Sequence, residues 1–430
     1  MVQLNPLLLA YLIISFLRSG TQFFLNRLNI SHLRRCGDTV PEVFRDTIDR
    51  EKLGKISAYT IDSARFGIFS TFAAQIFFLV LLLSGFLPWL AYQISRLGTG
   101  TIVNGLLFFA SLGILTRLFD LPFELYETFG IEKRYGFNTQ TFRLWAVDLL
   151  KSLLLSALLS GLLLGLFLSL ILYGGKAWWF WAWILVGAFE LLMIWLYPVL
   201  LAPLFNKFEP VADQALVQRI RTLMEKAGLR AKGVFQMDAS KRSKHTNAYF
   251  TGLGKSKRIV LFDTLLQSHG ADEIEAVLAH EVGHWKKKHI LKQLAFMEAL
   301  SMISFFILAK LLEWPLLYQT FGFSEPILYV GLLLIGALFS PLGYFAQPLG
   351  SAFSRKFERE ADDYALTLIP SKEPLIQAFK RLAADNLANL SPHPLYAWFY
   401  YSHPPLGERV QRLRRAAERV QPASKEISFL

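Results

Sequence analysis

Cysteine is almost absent: Cys36 is the single one among 430 residues. One thiol excludes an intramolecular disulfide framework and a thiolate zinc cage, so a metal would have to be held by histidine and carboxylate. Charge is scarce as well. Charged residues make up 18% of the chain and hydrophobic ones 53%, with a mean hydropathy of +0.36. That balance is too apolar for a soluble domain of this length. Internal repeats and low-complexity segments are also missing, which argues against a transporter built from repeated halves. The net charge is +12, yet no basic patch interleaved with aromatics marks a nucleic-acid module.

What is there is a set of long apolar runs, the membrane signature. Seven candidate spans are read at Leu4–Leu25, Phe66–Tyr92, Ile102–Leu121, Val147–Tyr173, Trp178–Phe205, Leu291–Trp314 and Pro326–Leu349. Arg18 interrupts the first, where a cleaved signal peptide is the alternative; the stretch is long and no small-residue cleavage site follows it. Basic residues cluster in alternate connections: Arg27, Arg34, Arg35, Arg45, Arg50, Lys52 and Lys55 after the first span, then Lys133, Arg134 and Arg143 after the third. The opposite set holds little beyond Arg96 and Lys176. The basic side is therefore expected to be cytoplasmic, with the N-terminus outside. Arg18, Arg117, Asp120, Lys151 and Glu190 lie in or near spans, and such groups tend to face a bundle interior or snorkel to the interface.

Four regions follow: a membrane region over 1–205, a polar region over 206–290, two further spans over 291–350, and a polar, mostly helical end over 351–430. The first polar region reads as an amphipathic helix, Val211–Ala227, and three short strands, Gly233–Met237, Asn247–Thr251 and Arg258–Phe262. A turn through Gly254 to Lys257 joins the last two strands. A helix from Ala271 comes next and is expected to run directly into the sixth span. The last helix is placed at Glu408–Arg419, with Val410, Leu413 and Ala417 on one face.

The helix from Ala271 carries His280-Glu281-Val282-Gly283-His284. Residues four apart on a helix lie one above the other, so His280 and His284 would aim two imidazoles at one ion. Glu281, one step round, would face the attacking water as general base. Zinc then lacks a third protein ligand. The metzincin position for a third histidine is Ile290, so that arrangement fails. His289 is expected at the membrane interface, and Glu298 lies too far along the sixth span. Two membrane crossings separate His284 from the C-terminal region, and two crossings return the chain to the same side. Glu358 is thus the expected third ligand, with Asp362 on the same helix face holding a ligand imidazole in its tautomer. His245 and His269 read as surface or loop histidines.

These residues, with Ser354-Arg355, Ala361-Asp362, His403-Pro404-Pro405 and Arg409, resemble the integral-membrane gluzincins known as CAAX prenyl endopeptidases. Glu132 to Asn138, Ser243 to Phe250 and Arg258 to Leu266 resemble the same family. The resemblance implies a mainly α, multi-pass membrane protein. Its seven spans would enclose a chamber, with a cytoplasmic zinc-protease domain containing a small sheet. It implies one Zn2+ per chain on His280, His284 and Glu358, with Glu281 as base. It makes His403 the candidate electrophile for the oxyanion; Arg409 either pairs with Asp362 or binds a substrate group. Asn247 to Thr251 is expected to be the edge strand that holds an extended substrate, with Asn247 and Ala248 contributing polar contacts. The known family reaction removes the last three residues of a prenylated C-a-a-X tail. The expected partners are therefore a peptide or protein substrate, lipidated or not, and the bilayer, with no nucleic acid. A membrane quality-control protease acting on non-prenylated proteins is the alternative, and a catalytically silent scaffold is the rival from another class. The short loop between the sixth and seventh spans and the absence of an endoplasmic-reticulum retention ending favour a bacterial inner membrane over the endoplasmic reticulum.

Overall fold

The computed structural model describes residues 2–229, 232–251 and 258–418, with side chains as far as 415. The expected turn at 254–257 and the side chain of Ala417 lie outside the described residues.

Among the described residues, seven helices are long and apolar enough to cross a bilayer: Pro6–Cys36, Arg50–Leu83, Thr101–Tyr135, Phe142–Tyr173, Gly175–Phe205, His289–Leu311 and Leu328–Leu368. Local chemistry sets several of their starts. The side chains of Asn5, Asp49 and Thr141 accept from the backbone N–H groups of Leu8, Lys52 and Leu144, satisfying donors that a first helical turn leaves free. Leu150, Leu154, Leu158 and Leu162, each four residues on from the last, are exposed. An apolar stripe of that kind is stable against lipid, which has no hydrogen bonds to lose.

The ends differ from the apolar runs. About 20 helical residues cross the hydrocarbon, so the six helices of 31 to 41 residues project well into water, while the sixth span, with 23, does not. The second span ends at Leu83, and Phe86–Ser95 is a separate helix. The seventh span does not stop near Leu349. It continues to Leu368 as one helix of 41 residues, through Pro341 and Pro348. The helix from Ala271, by contrast, does not run into the sixth span. It ends at Lys286, and Lys288 takes a left-handed conformation (φ 57°) that starts a new helix at His289.

Charged groups in the spans find partners. Arg117 pairs with Glu124 at 2.5 Å, and Lys151 donates to the Leu204 carbonyl at 2.9 Å. Glu190 faces Glu298 between the fifth and sixth spans. Arg18 lies 5.8 Å from the centre of the Tyr344 ring. It borders a cavity of about 630 Å³ between the first, second, third and seventh spans, with Ser15, Thr71, Gln75 and Ser340 as its other polar walls.

Among the described residues, the two largest apolar cores lie at opposite ends of the spans. One gathers Leu8, Leu87, Leu90, Ile94, Leu317, Phe321 and Tyr329, from the starts of the first- and seventh-span helices and from the connections after the second and sixth spans. The other gathers Phe44, Ile56, Ile131, Phe137, Ile220, Ile259, Leu278, Phe379 and Val410. Those residues come from the connections after the first, third, fifth and seventh spans and from the adjoining ends of the second- and third-span helices, on the side that carries most of the basic residues. A sheet lies within this second domain. Its strands are β1 (Phe208–Pro210), β2 (Val234–Met237), β3 (Ala248–Thr251) and β4 (Arg258–Phe262), in the order β1-β2-β4-β3. β2 and β4 run parallel and both outer pairs antiparallel. β1, at three residues, is too short to show alternation and was not expected. The amphipathic helix is Gln214–Lys226, capped by Asp213, and the last described helix is Leu406–Glu418, with Val410 and Leu413 buried.

Candidate metal centre

The helix Ala271–Lys286 starts with Glu273 accepting from the Gly270 N–H at 2.8 Å and crosses the C-terminal part of the seventh-span helix. The crossing is close because of Gly283. A Cβ built there would meet the Cα and the carbonyl oxygen of Ala361 at 2.8 Å, closer than real Cβ contacts allow. Backbone meets backbone at that point, so the side chains on either side of it converge.

Three groups converge most tightly. Among the described residues, ligand atoms of His280, His284 and Glu358 all lie within 4.8 Å of one another. The two Nε2 atoms are 3.2 Å apart, and each is 3.3 Å from one oxygen of Glu358. Four ligands at about 2.0–2.1 Å round a tetrahedral zinc are separated by roughly 3.3 Å, so these edges fit that ion. The unused valences fit as well. Glu358 Oε2 is buried and accepts no hydrogen bond. The Nδ1 atom of His280 is occupied by Asp362 Oδ1 at 2.8 Å, and that of His284 by His289 Nδ1 at 3.1 Å. Both Nε2 lone pairs are therefore left to a cation.

The remaining expected residues take distinct places. Asp362 is 1% exposed and is held by Arg409, at 3.0 Å from Nε and 2.5 Å from Nη2. Arg409 is buried, reaches Glu358 Oε2 at 3.4 Å, and stacks 3.9 Å from the centre of the Phe379 ring. Of the two roles open to it, the geometry pairs it with Asp362. His403 is exposed, and its Nε2 lies 3.2 Å from Glu358 Oε1. It meets the metal group through that oxygen.

Burial pushes the Glu281 carboxyl above its ordinary value, against the pull of His280 and His284. Burial and Arg409 depress His280, but with no metal bound the adjacent carboxylates of Asp362 and Glu358 outweigh them and push it up to about 9.

β3 is an edge strand, and Phe262 N–H donates to the Asn247 carbonyl at 3.1 Å. In an antiparallel ladder alternate pairs exchange hydrogen bonds, so the main-chain groups of Ala248 and Phe250 point to the open edge. The Ala248 N–H is taken by the Asn247 side chain at 2.8 Å.

One histidine expectation needs correction. His289 is not an interfacial residue: it is 2% exposed and touches His284, because the chain breaks at Lys288 and folds back. His269 and His245 both lie in loops, as expected, and His269 is buried there. His245 is half-buried between Glu132 and Asn386, at 3.3 and 3.0 Å, and stacks on Phe137. Sequence reasoning also passed over Gly283 and Phe379. A glycine directly before the second histidine was the available signal for the first; nothing in spacing pointed to the second.

Similarity to known proteins matches this geometry. Residues 29–207 match the family described as CAAX prenyl protease N-terminal, five membrane helices, and residues 210–417 match peptidase family M48. The chain is 35% identical to a CAAX prenyl protease 1 homolog of Arabidopsis thaliana, over 87% of this chain and 90% of that protein. It is 34% identical to CAAX prenyl protease 1 of Saccharomyces cerevisiae, over 95% and 96%. The chain belongs to the CAAX prenyl protease family. The crystal structure of S. mikatae Ste24p superposes with a TM-score of 0.88 at 34% identity, covering 96% of this chain and 100% of that one. The protease is thus a multi-pass membrane zinc metalloendopeptidase whose zinc ligands are His280, His284 and Glu358. These relatives are eukaryotic, so the bacterial inner membrane expected from the loops gains no support.

Proposed function

We propose that the protease cleaves the C-terminal tripeptide from prenylated proteins at the cytoplasmic face of its membrane. The observation that carries the substrate class is the similarity, over nearly the whole chain, to proteins named for that reaction. When bound, zinc supplies Lewis acidity that acidifies water and polarises the scissile carbonyl. Glu281 takes the proton of the attacking water and later delivers it to the leaving amine nitrogen. Its raised pKa suits both halves of that transfer. His403 donates Nε2–H to the oxygen that gains charge, and its exposure beside Glu358 leaves it free to turn towards substrate. Asp362 holds His280 in the tautomer that leaves Nε2 bare, and Arg409 holds Asp362. The substrate lies along β3 as an added strand, paired with Phe250 and with Ala248 once Asn247 releases its N–H.

The test compares a farnesylated C-a-a-X peptide with its unmodified twin in purified protein. Preferred cleavage of the farnesylated peptide three residues from its end is expected. Equal cleavage of the two, or cuts at scattered positions, would replace this reading with a quality-control protease.

A further inference from the structure

The two zinc histidines are supported unequally. His280 Nδ1 ends directly on a carboxylate, Asp362, at 2.8 Å. His284 Nδ1 ends on another imidazole, His289 Nδ1, at 3.1 Å, and the far nitrogen of His289 lies 3.1 Å from Glu360 Oε2. We propose that His289 and Glu360 form a relay that positions His284 for the metal, as Asp362 alone does for His280. This inference rests on the zinc assignment.

The proton positions follow from the contacts. His284 Nε2 faces His280 Nε2 and Glu358, so its lone pair belongs to the ion and its hydrogen sits on Nδ1. That hydrogen needs an acceptor, and the atom 3.1 Å away is His289 Nδ1. A neutral imidazole with a bare Nδ1 carries its hydrogen on Nε2, where Glu360 accepts it. Each member therefore has one allowed tautomer, assigned here from the network. Every hydrogen in the chain points the same way, away from the metal and towards Glu360.

The backbone is shaped for this contact. His289 is five residues beyond His284, which on an unbroken helix would carry it round to another face. Lys288, at φ 57° and ψ 36°, turns the chain back. A residue that is not glycine adopts that conformation at a cost, and it persists where the surroundings hold it in place. Here Phe357 holds it: its ring stacks on His289 with centres 4.3 Å apart and planes 11° apart. Phe357, Glu358, Glu360 and Asp362 all belong to the seventh-span helix. One helix thus provides a metal ligand, the platform under the relay, and the terminal carboxylate for both zinc histidines.

His289 is a positioning residue, so its test must separate positioning from packing. The rate of zinc loss to a chelator is measured on the full-length protein in detergent, with the melting temperature of the zinc-stripped form as control. His289→Leu fills the space but accepts no hydrogen bond. It is expected to lose zinc about 10–100-fold faster, the size usual for removing such a partner, with stripped-form melting unchanged. His289→Asn keeps an acceptor near the Nδ1 position and should restore most of the retention. Glu360→Ala should speed zinc loss in the parent and add little in the His289→Leu background, because Glu360 acts through His289. Unchanged zinc loss in His289→Leu, or full additivity with Glu360→Ala, overturns the relay. Should His289→Leu fail to fold, Glu360→Ala alone decides: faster loss supports the relay and unchanged loss ends it. A parent protein that holds no zinc would instead sink the metal assignment itself.

Discussion

Glu281 follows a zinc-ligating histidine directly, and burial holds its carboxyl above the ordinary range. Glu281→Gln keeps the shape and removes the base. Turnover should fall by about 10²–10⁴-fold with zinc still stoichiometric by elemental analysis; full turnover would remove Glu281 from the reaction. The base must be ionised to act, so a raised pKa moves the acid limb of the pH–rate profile upward, above the 4.5 of an ordinary glutamate. His280 gives a second pH effect with the opposite chemistry. In protein stripped of metal its pKa stands at about 9, so at neutral pH it carries a proton that zinc must displace. Apparent zinc affinity should therefore rise with pH between 7 and 9, and a titration in two buffers of different ionisation heat should detect the released proton. Affinity that is flat across that range would show His280 already neutral.

At the scale of elements, the site depends on how closely two helices approach. Gly283 lets the backbone of Ala271–Lys286 sit against Ala361, and the ligands on either side depend on that distance. Gly283→Val would force the helices apart; overpacking of this kind costs about 1–3 kcal/mol. The metal should suffer more than the fold: zinc occupancy after dialysis is expected to drop sharply while the helical circular dichroism stays. Retained zinc would mean the helices can part without moving their ligands. The seventh-span helix matters in the same way. Because it continues unbroken from the membrane to Leu368, Glu358 and Asp362 are fixed relative to the bilayer.

At the scale of the whole molecule, one polar domain is assembled from four connections that are distant in sequence. Cys36, exposed at the end of the first span, tests its sidedness. A membrane-impermeant maleimide should label Cys36 only from the side on which peptide is cleaved; labelling from the other side would break the topology. Much of this was legible in the chain. The apolar runs located seven spans, because lipid demands length and hydrophobicity whatever the partners. Helical periodicity put His280 over His284, and the parity of crossings brought Glu358 to the same side. The span ends were not legible, since a helix that leaves the membrane keeps its hydrogen bonds while its composition turns polar. The place of His289 was hidden too, because a left-handed lysine leaves no mark in composition. The amino-acid sequence alone therefore determined the spans, the metal-binding residue types and their shared side of the membrane. Tertiary packing decided the contact of Gly283 with Ala361, the pairing of Arg409 with Asp362 and the return of His289, because each depends on a close approach between segments that local patterning does not encode.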